Sequence, residues 1–219
     1  MAWHLPARLL SLLYPITIER SEGRFGPLEV RWEHGRKVLN SANANQSFGA
    51  LHRVLQAALP DAVSGISDLR TVLLLGLGGG SAVHILRNEL KRDPRITAIE
   101  LDPVMIDVAG RHFAVLGDAR LTVIQGDATV QVHVLRDRFD LVVVDLFADD
   151  GPAEGTGTQG FIHALRDRVA DGGRLVYNTM AHDGPTAARS ERVHALLRRT
   201  FLRVTTIHSE GLNRVFVAH

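Results

Sequence analysis

Three acidic residues and a glycine-rich turn occupy equivalent positions in the sequence, each directly after an apolar, strand-like segment. The acids are Glu100, Asp127 and Asp145, and the turn contains Gly76, Gly78, Gly79 and Gly80. In open α/β sheets, the loops after the carboxyl ends of the strands come together and bind the ligand. Carboxylates in such a place can accept hydrogen bonds from hydroxyl or amino groups, or can remove a proton. The pattern therefore predicts a polar ligand site with a candidate general base.

The glycine turn lies inside a segment, residues 71–101, that reads as strand, turn, helix and strand. Val72, Leu73, Leu74 and Leu75 form an uninterrupted apolar run, which is typical of a strand buried on both faces of a parallel sheet. The glycines permit a tight turn and a close backbone approach to a ligand, and Ser81 is expected to cap the helix that follows. The second strand ends on an acid about twenty residues after the turn, where a Rossmann-type unit binds ribose hydroxyls. This segment predicts a nucleoside-binding βαβ unit.

The remaining chain continues the alternation of strands and helices. The further predicted strands are 120–125, 139–146, 174–179, 202–208 and 214–218, and the last two form an antiparallel hairpin. Alternating strands and helices predict a doubly wound, mostly parallel sheet. With the hairpin added, we expect a seven-stranded, Rossmann-like α/β sheet of the class I methyltransferase fold.

A different pattern precedes this region, and we predict two domains, 1–60 and 61–219. The predicted elements of the first are a short helix over 3–13, strands at 16–19, 28–32 and 37–39, a loop over 41–47, and a helix that Pro60 ends. Residues 33–36 supply the turn of a β-hairpin, with Gly35 available for a positive φ. The first domain is therefore expected to be a small antiparallel β-unit with a connecting helix.

Composition excludes several other classes of protein. The net charge is +1, so no electrostatic argument favours nucleic acid or a membrane surface as the partner. The chain has no cysteine, which excludes disulfides, thiol catalysis and thiolate metal sites, and its histidines show no metal-ligand spacing. No segment is long enough to span a membrane, and the amino terminus does not resemble a signal peptide. We expect a cytoplasmic protein without a metal.

Each acid also has an interpretation that involves no ligand. Glu100 could be a solvated strand end, and Asp145 could be a helix cap or a loop acid. Asp127 could cap the helix that follows it, instead of accepting a hydrogen bond from an adenine amino group. Asp102 precedes Pro103 and is as consistent with a helix cap as with a ligand contact.

Four stretches of the sequence carry a family resemblance. VLLLGLGGGS is similar to a strand followed by a GGGDGG turn, ITAIELDPVMIDVA to a VEID segment, and LTVIQGDA to a GDG or GDA turn. The fourth, DLFADDGPAEGTGTQGF at residues 145–161, aligns without gaps with a DSTDPxGPAExLF loop. These motifs resemble the spermidine synthase family, the polyamine aminopropyltransferases.

The resemblance implies a transferase that uses a sulfonium nucleoside. S-adenosylmethionine or its decarboxylated form would be the cosubstrate, bound by Gly76, Gly78, Gly79, Gly80, Glu100, Asp127 and Ala128. Asp145 would be the general base. Asp149, Asp150 and Glu154 would make the following loop acidic and attract a small-molecule amine, although this loop could also be a solvated surface turn. Gln46, a further candidate substrate contact, could close over the nucleotide. The family also suggests a homodimer.

The sequence departs from the family at two acids. Gly79 stands where the family's glycine turn has an acid, and Ala148 stands at the second acid of its DxxD motif. An S-adenosylmethionine-dependent methyltransferase is therefore a second hypothesis, because a turn without that acid repels the carboxylate of S-adenosylmethionine less. A non-catalytic nucleoside-binding protein is the third. A dehydrogenase is disfavoured, because the turn lacks GxGxxG spacing.

Overall fold

The computed structural model describes residues 4–41, 45–148, 151–210 and 212–219. The first elements are α1 (His4–Leu10), β1 (Ile16–Gly23), β2 (Gly26–Glu33), β3 (Arg36–Ser41) and β4 (Asn45–Ser47). The four strands form one antiparallel sheet in the order β1-β2-β3-β4. The predicted hairpin turn is confirmed, since His34 and Gly35 both have positive φ. The loop predicted over 41–47 is wrong at both ends, because Ser41 belongs to β3 and residues 45–47 form β4.

Helix α2 (Ala50–Ser64) runs through Pro60, so the prediction that this proline ends the helix is wrong. A proline inside a helix removes one backbone hydrogen bond and costs about 3 kcal/mol. Here Leu59, Ala62 and Val63, on both sides of the proline, are buried against the large sheet. Their burial offsets the lost hydrogen bond, and the helix continues for one more turn.

The remaining chain builds the second sheet and its helices. In order these are β5 (Thr71–Leu75), α3 (Ser81–His84) with a π-helical turn at Ile85–Glu89, β6 (Arg95–Glu100), α4 (Pro103–Phe113), β7 (Leu121–Gln125), α5 (Ala128–Val134), β8 (Phe139–Val144), β9 (Phe147–Ala148), β10 (Gly151–Pro152), α6 (Gln159–Arg168), β11 (Val169–Met180), α7 (Gly184–Thr200), β12 (Val204–Ser209) and β13 (Asn213–Ala218). Among these elements, no helix is long and apolar enough to cross a membrane.

The large sheet has seven strands in the order β12-β13-β11-β8-β5-β6-β7. Neighbours from β11 to β7 are parallel, and β13 is antiparallel to both β11 and β12. This arrangement confirms the predicted fold class. The apolar run of β5 is buried on both faces, with Val72 and Leu74 in one core and Leu73 and Leu75 in the other.

Helix α4 joins the small sheet to the large one. Leu28 and Val30 of β2 pack on Met105 and Val108 of α4. Beside this apolar contact, the carboxylate of Glu19 accepts hydrogen bonds from Nη1 and Nη2 of Arg111 at 2.5 and 2.7 Å. These bonds lower the pKa of Glu19 to about 2. The contacts fix the β1–β2 turn above the carboxyl ends of β5, β6 and β7.

Candidate functional site

A single cavity gathers the carboxyl ends of four neighbouring parallel strands. The charged residues among its described lining are all acids: Glu100, Asp102, Asp127 and Asp145. The apolar lining includes Leu28, Leu51, Ile99, Met105 and Leu146. The cavity therefore combines an apolar wall with a concentration of negative charge, and it suits a ligand that is partly apolar and positively charged.

The glycine turn places two of its four predicted residues at the cavity. Gly76 and Gly78 are part of the lining. A Cβ on Gly76 would lie 2.2 Å from the carbonyl oxygen of Asp145, so only glycine allows the ends of β5 and β8 to approach this closely. Gly80 is the N-cap of α3, with a left-handed φ of 89°. The prediction that Ser81 caps this helix is wrong, because its Oγ instead accepts a hydrogen bond from the backbone N–H of Phe48 at 2.9 Å.

Gly79 and Gly80 are buried and lie outside the cavity lining. The backbone N–H of Gly79 donates to Oγ of Ser47 at 2.6 Å. A Cβ on Gly79 would lie 2.8 Å from the Cβ of Ser47. The space beside Gly79 is thus filled by β4, and the assignment of these two glycines to the cosubstrate stays a prediction.

Glu100 fastens the end of β6 to the glycine turn. Its Oε2 accepts hydrogen bonds from the backbone N–H groups of Leu77 at 3.0 Å and Gly78 at 3.3 Å. Its Oε1 accepts one from the backbone N–H of Asp102 at 3.0 Å. Burial raises the pKa of Glu100 above its ordinary value, although these hydrogen bonds oppose the rise. Glu100 is therefore a half-buried, hydrogen-bonded carboxyl at the cavity wall, not a solvated strand end.

Asp127 and Asp102 both cap helices at the cavity. Oδ1 of Asp127 accepts a hydrogen bond from the backbone N–H of Thr129 at 2.8 Å, and Ala128 beside it lines the cavity. Oδ1 of Asp102 accepts one from the backbone N–H of Val104 at 2.8 Å. Its Oδ2 accepts one from the backbone N–H of Arg24 at 2.7 Å, which holds the β1–β2 turn over the cavity. Capping and ligand contact are compatible for Asp127, because the cap occupies one carboxylate oxygen.

Asp145 follows β8 and stands half-buried at the cavity wall. Burial raises its pKa to about 6, and the charge of Glu100 adds to the rise. Opposing this, Nδ2 of Asn178 donates to Oδ1 of Asp145 at 2.9 Å. At neutral pH the group is mostly ionised, yet it is more basic than an ordinary aspartate. These are the properties of a general base.

The loop between β10 and α6 is held in place by one side chain from β11 and one from α7. The hydroxyl of Tyr177 donates to the carbonyl oxygen of Thr156 at 2.7 Å, and burial raises the pKa of Tyr177 to about 12. Nη2 of Arg189 donates to Oγ1 of Thr156 at 2.8 Å and also to the carbonyl oxygen of Ala153, which lines the cavity. Glu154 is exposed and is not part of the lining.

Three residues predicted to bind substrate cannot be placed at the site. Asp149 and Asp150 lie outside the described residues, as does the side chain of Gln46. Their roles stay predictions.

Some site residues were missed by the sequence analysis. Phe25 and Gly26 reach the cavity from the β1–β2 turn, and no spacing relates them to the glycine turn. Asn178 could have been noticed, because it is a polar residue where the apolar part of β11 ends, next to β8, which Asp145 follows.

Comparisons with known proteins agree with this fold. The solved structure of a probable spermidine synthase from Corynebacterium glutamicum superimposes with a TM-score of 0.78 at 16% identity, covering 91% of this chain and 79% of the other. Human methyltransferase-like protein 13, solved in complex with SAH, gives a TM-score of 0.66 at 21% identity over 78% of this chain and 82% of the other. These likenesses place the protein in the class of methyltransferase-fold proteins.

The family model of the spermine/spermidine synthase domain matches residues 59–199, which is more than half of the chain. The protein therefore belongs to the spermine/spermidine synthase domain family. A polyamine aminopropyltransferase from Korarchaeum cryptofilum is 31% identical over 140 residues, covering 60% of this chain and 42% of the relative. An eEF1A lysine and N-terminal methyltransferase homologue from Drosophila pseudoobscura pseudoobscura is 29% identical over 123 residues, covering 52% of this chain and 18% of the relative. The chain spans 12% to 52% of the length of such curated relatives.

Proposed function

We propose that the protein is a transferase that moves an aminopropyl group from decarboxylated S-adenosylmethionine to a di- or polyamine, with Asp145 as the general base. The observation that carries the proposal is the cavity itself: its described charged lining consists of four acids, and one of them, Asp145, has a pKa raised to about 6. Both the sulfonium donor and the amine acceptor are cations, and an acidic cavity attracts cations. Membership of the spermine/spermidine synthase domain family supports the same reaction.

The first step of the reaction is removal of a proton from the acceptor amine. An alkylamine has a pKa near that of lysine, about 10.4, and arrives protonated, without a free electron pair. Asp145 takes one proton from the ammonium group, and the nitrogen then attacks the carbon next to sulfur. A C–N bond forms as the C–S bond breaks, and the electron pair of that bond goes to the sulfur, which leaves as a neutral thioether. The higher pKa of Asp145 makes this proton transfer less unfavourable than it would be for an ordinary aspartate.

The predicted binding roles follow from the same arrangement. In this proposal the nucleoside lies along Gly76 and Gly78, with Glu100 at the ribose hydroxyls and Asp127 with Ala128 at the adenine. Binding brings the reacting carbon in line between sulfur and nitrogen, and alignment of this kind supplies much of the rate of a two-substrate displacement.

A second candidate is methyl transfer from S-adenosylmethionine to an unknown acceptor. Gly79 favours methyl transfer. Strand β4 fills the space beside Gly79, which leaves no room for an acidic side chain that would repel the carboxylate of S-adenosylmethionine. Methyltransferases are also among the curated relatives. A non-catalytic nucleoside-binding protein is the third hypothesis. The raised pKa of Asp145 disfavours it, because nucleoside binding does not require a carboxylate of increased basicity.

The leaving nucleoside distinguishes the three hypotheses. The purified protein is incubated with a diamine and either decarboxylated or intact S-adenosylmethionine, and the products are separated by mass. Methylthioadenosine is expected from the decarboxylated donor. S-adenosylhomocysteine from the intact donor would instead establish methyl transfer. Binding of both donors with release of neither product would leave a binding protein and overturn the proposal.

Two variants test the residue roles. Asp145→Asn should reduce amine alkylation by 10²-fold or more, which is the usual contribution of a general base, with nucleoside affinity unchanged. Glu100→Gln should weaken nucleoside binding, measured by calorimetry. Unchanged turnover in the first variant would remove Asp145 as the base, and unchanged affinity in the second would remove the ribose assignment.

A further inference from the structure

A row of three polar side chains crosses the carboxyl edge of the large sheet beside the proposed base. Asp145 follows β8, Asn178 lies in β11 and Asn213 begins β13, and these three strands are adjacent. Because Val144 and Tyr177 are paired in the parallel register, the residues after them, Asp145 and Asn178, lie side by side. Asn213 is the diagonal neighbour of Asn178 across the antiparallel pair β11–β13, close enough for side chains to meet.

Hydrogen bonds connect the row in one direction. Nδ2 of Asn213 donates to Oδ1 of Asn178 at 3.1 Å, and Nδ2 of Asn178 donates to Oδ1 of Asp145 at 2.9 Å. An ionised carboxylate can only accept, so Asn178 must turn its NH₂ group toward Asp145. Its carbonyl oxygen then faces β13, where Asn213 supplies the donor. Asn178 is only 3% exposed, so a partner from the protein is needed for both ends of its amide.

The backbone around Asn213 is held in register on both sides. The N–H of Ala181 donates to the carbonyl oxygen of Leu212 at 2.7 Å, and Oγ1 of Thr179 donates to the carbonyl oxygen of Arg214 at 2.8 Å. Asn213 therefore cannot shift along β11 without breaking these bonds. The backbone from which its side-chain amide extends is fixed in position.

We propose that Asn178 and Asn213 are positioning residues for the transfer reaction, acting through Asp145. They hold its Oδ1 at the sheet and leave Oδ2 directed to the acceptor in the cavity. The described residues donate no hydrogen bond to that Oδ2, and neither asparagine is part of the described cavity lining. The proposal rests on the proposed function in one respect only, namely that Asp145 is the base.

The row also adjusts the basicity of Asp145. The other charged groups that line its cavity are Glu100, Asp102 and Asp127, all acids. Arg189 of α7 instead donates a hydrogen bond to Thr156 in the loop before α6. The hydrogen bond from Asn178 is the contact that opposes burial and lowers the pKa of Asp145. Loss of a donor to a carboxylate raises its pKa, so disruption of the row is expected to make Asp145 less ionised at neutral pH.

Two substitutions break the row at different points. Asn178→Leu removes the donor next to Asp145. Asn213→Asp, at a half-buried strand end, removes the last donor and places an acceptor there, so that the amide of Asn178 is drawn away from Asp145. Thr205→Asp is the matched control, because it adds the same charge at an exposed position of the same hairpin.

The experiment follows the side-chain carboxyl carbon of Asp145 by ¹³C NMR during a pH titration, with Asp145→Asn used to assign the signal. Both row variants should raise the pKa of Asp145 by about one unit, while Thr205→Asp should leave it unchanged. In the amine-transfer assay the acid limb of the rate profile should move by the same amount, a tenfold loss of rate on that limb for one unit.

The two readouts separate the proposals. If the wild-type protein transfers nothing to amines, the proposed function fails, and the titration still decides whether the row acts on Asp145. If Asp145 titrates identically in the wild type and in Asn213→Asp, the positioning role is wrong, whether or not Asn178→Leu folds.

Discussion

Replacement of Asp145 by asparagine is expected to make the protein more stable while it removes the proposed base. The carboxyl has an ordinary pKa of 3.8 and a pKa of about 6 in the fold. At roughly 1.4 kcal/mol per unit, ionised Asp145 costs the folded protein roughly 3 kcal/mol at neutral pH. Asparagine has nearly the same shape, and its Oδ1 can still accept the hydrogen bond from Asn178. The variant should avoid the cost and melt roughly 6 to 12 °C higher.

The pH dependence tests the cause of this gain. A group whose pKa is raised by folding stabilises the protein at low pH, and that contribution is lost as the pH rises toward the folded value. The advantage of Asp145→Asn should therefore be absent at about pH 4, grow between about pH 4 and 6, and be complete above that range. Urea unfolding at several pH values measures it, with the exposed Asp137→Asn as the control that should change stability by less than about 0.5 kcal/mol.

Two results would refute the reasoning. A variant that is less stable than the wild type at neutral pH would mean that ionised Asp145 has favourable partners beyond Asn178. A gain of the same size at every pH would mean that packing, not ionisation, causes it.

Three further predictions concern the surroundings of the site. Gly79→Ala should destabilise the fold by about 1 to 3 kcal/mol, because its Cβ would lie 2.8 Å from that of Ser47; Ser47→Gly in the same chain should recover much of the loss in a double-mutant cycle of thermal unfolding. Glu19→Gln should cost about 1 kcal/mol at neutral pH, a value reduced for the exposure of its arginine partner. That cost should shrink as the pH falls from about 4.5 to about 2, since a lowered carboxyl pKa stabilises only above that range; a pH-independent cost in urea unfolding would contradict this. Tyr177→Phe removes the 2.7 Å bond to Thr156 and should cost about 1 kcal/mol, with faster proteolysis of the loop; unchanged cleavage would show that the loop is held by other contacts.

Much of the architecture was readable because it depends on local patterns. The apolar run of β5 has no polar interruption, which is typical of a strand buried on both faces of a parallel sheet. The acids at positions 100, 127 and 145 were linked correctly because parallel strands end at one edge of a sheet, so residues far apart in sequence share one cavity.

The errors came from contacts that no local pattern contains. Pro60 would end an isolated helix, but here the large sheet buries the helix on both sides of it. Ser81 has the right residue type for a cap, yet its hydroxyl is taken by Phe48 from another part of the chain. Gly79 was assigned to the cosubstrate together with the other glycines of the turn. In the structure it contacts Ser47 of β4, a contact between segments far apart in the sequence.

The strand order also has a consequence for how the protein folds. Strand β13 lies inside the sheet, between β11 and β12, although it comes last of the three. A hairpin such as β12–β13 forms in about 1 to 10 μs. Its docking on β11 is slower, because it pairs strands that are far apart in the sequence. Because Asn213 belongs to β13, the proposed positioning row of Asp145, Asn178 and Asn213 is complete only once this hairpin has docked on β11.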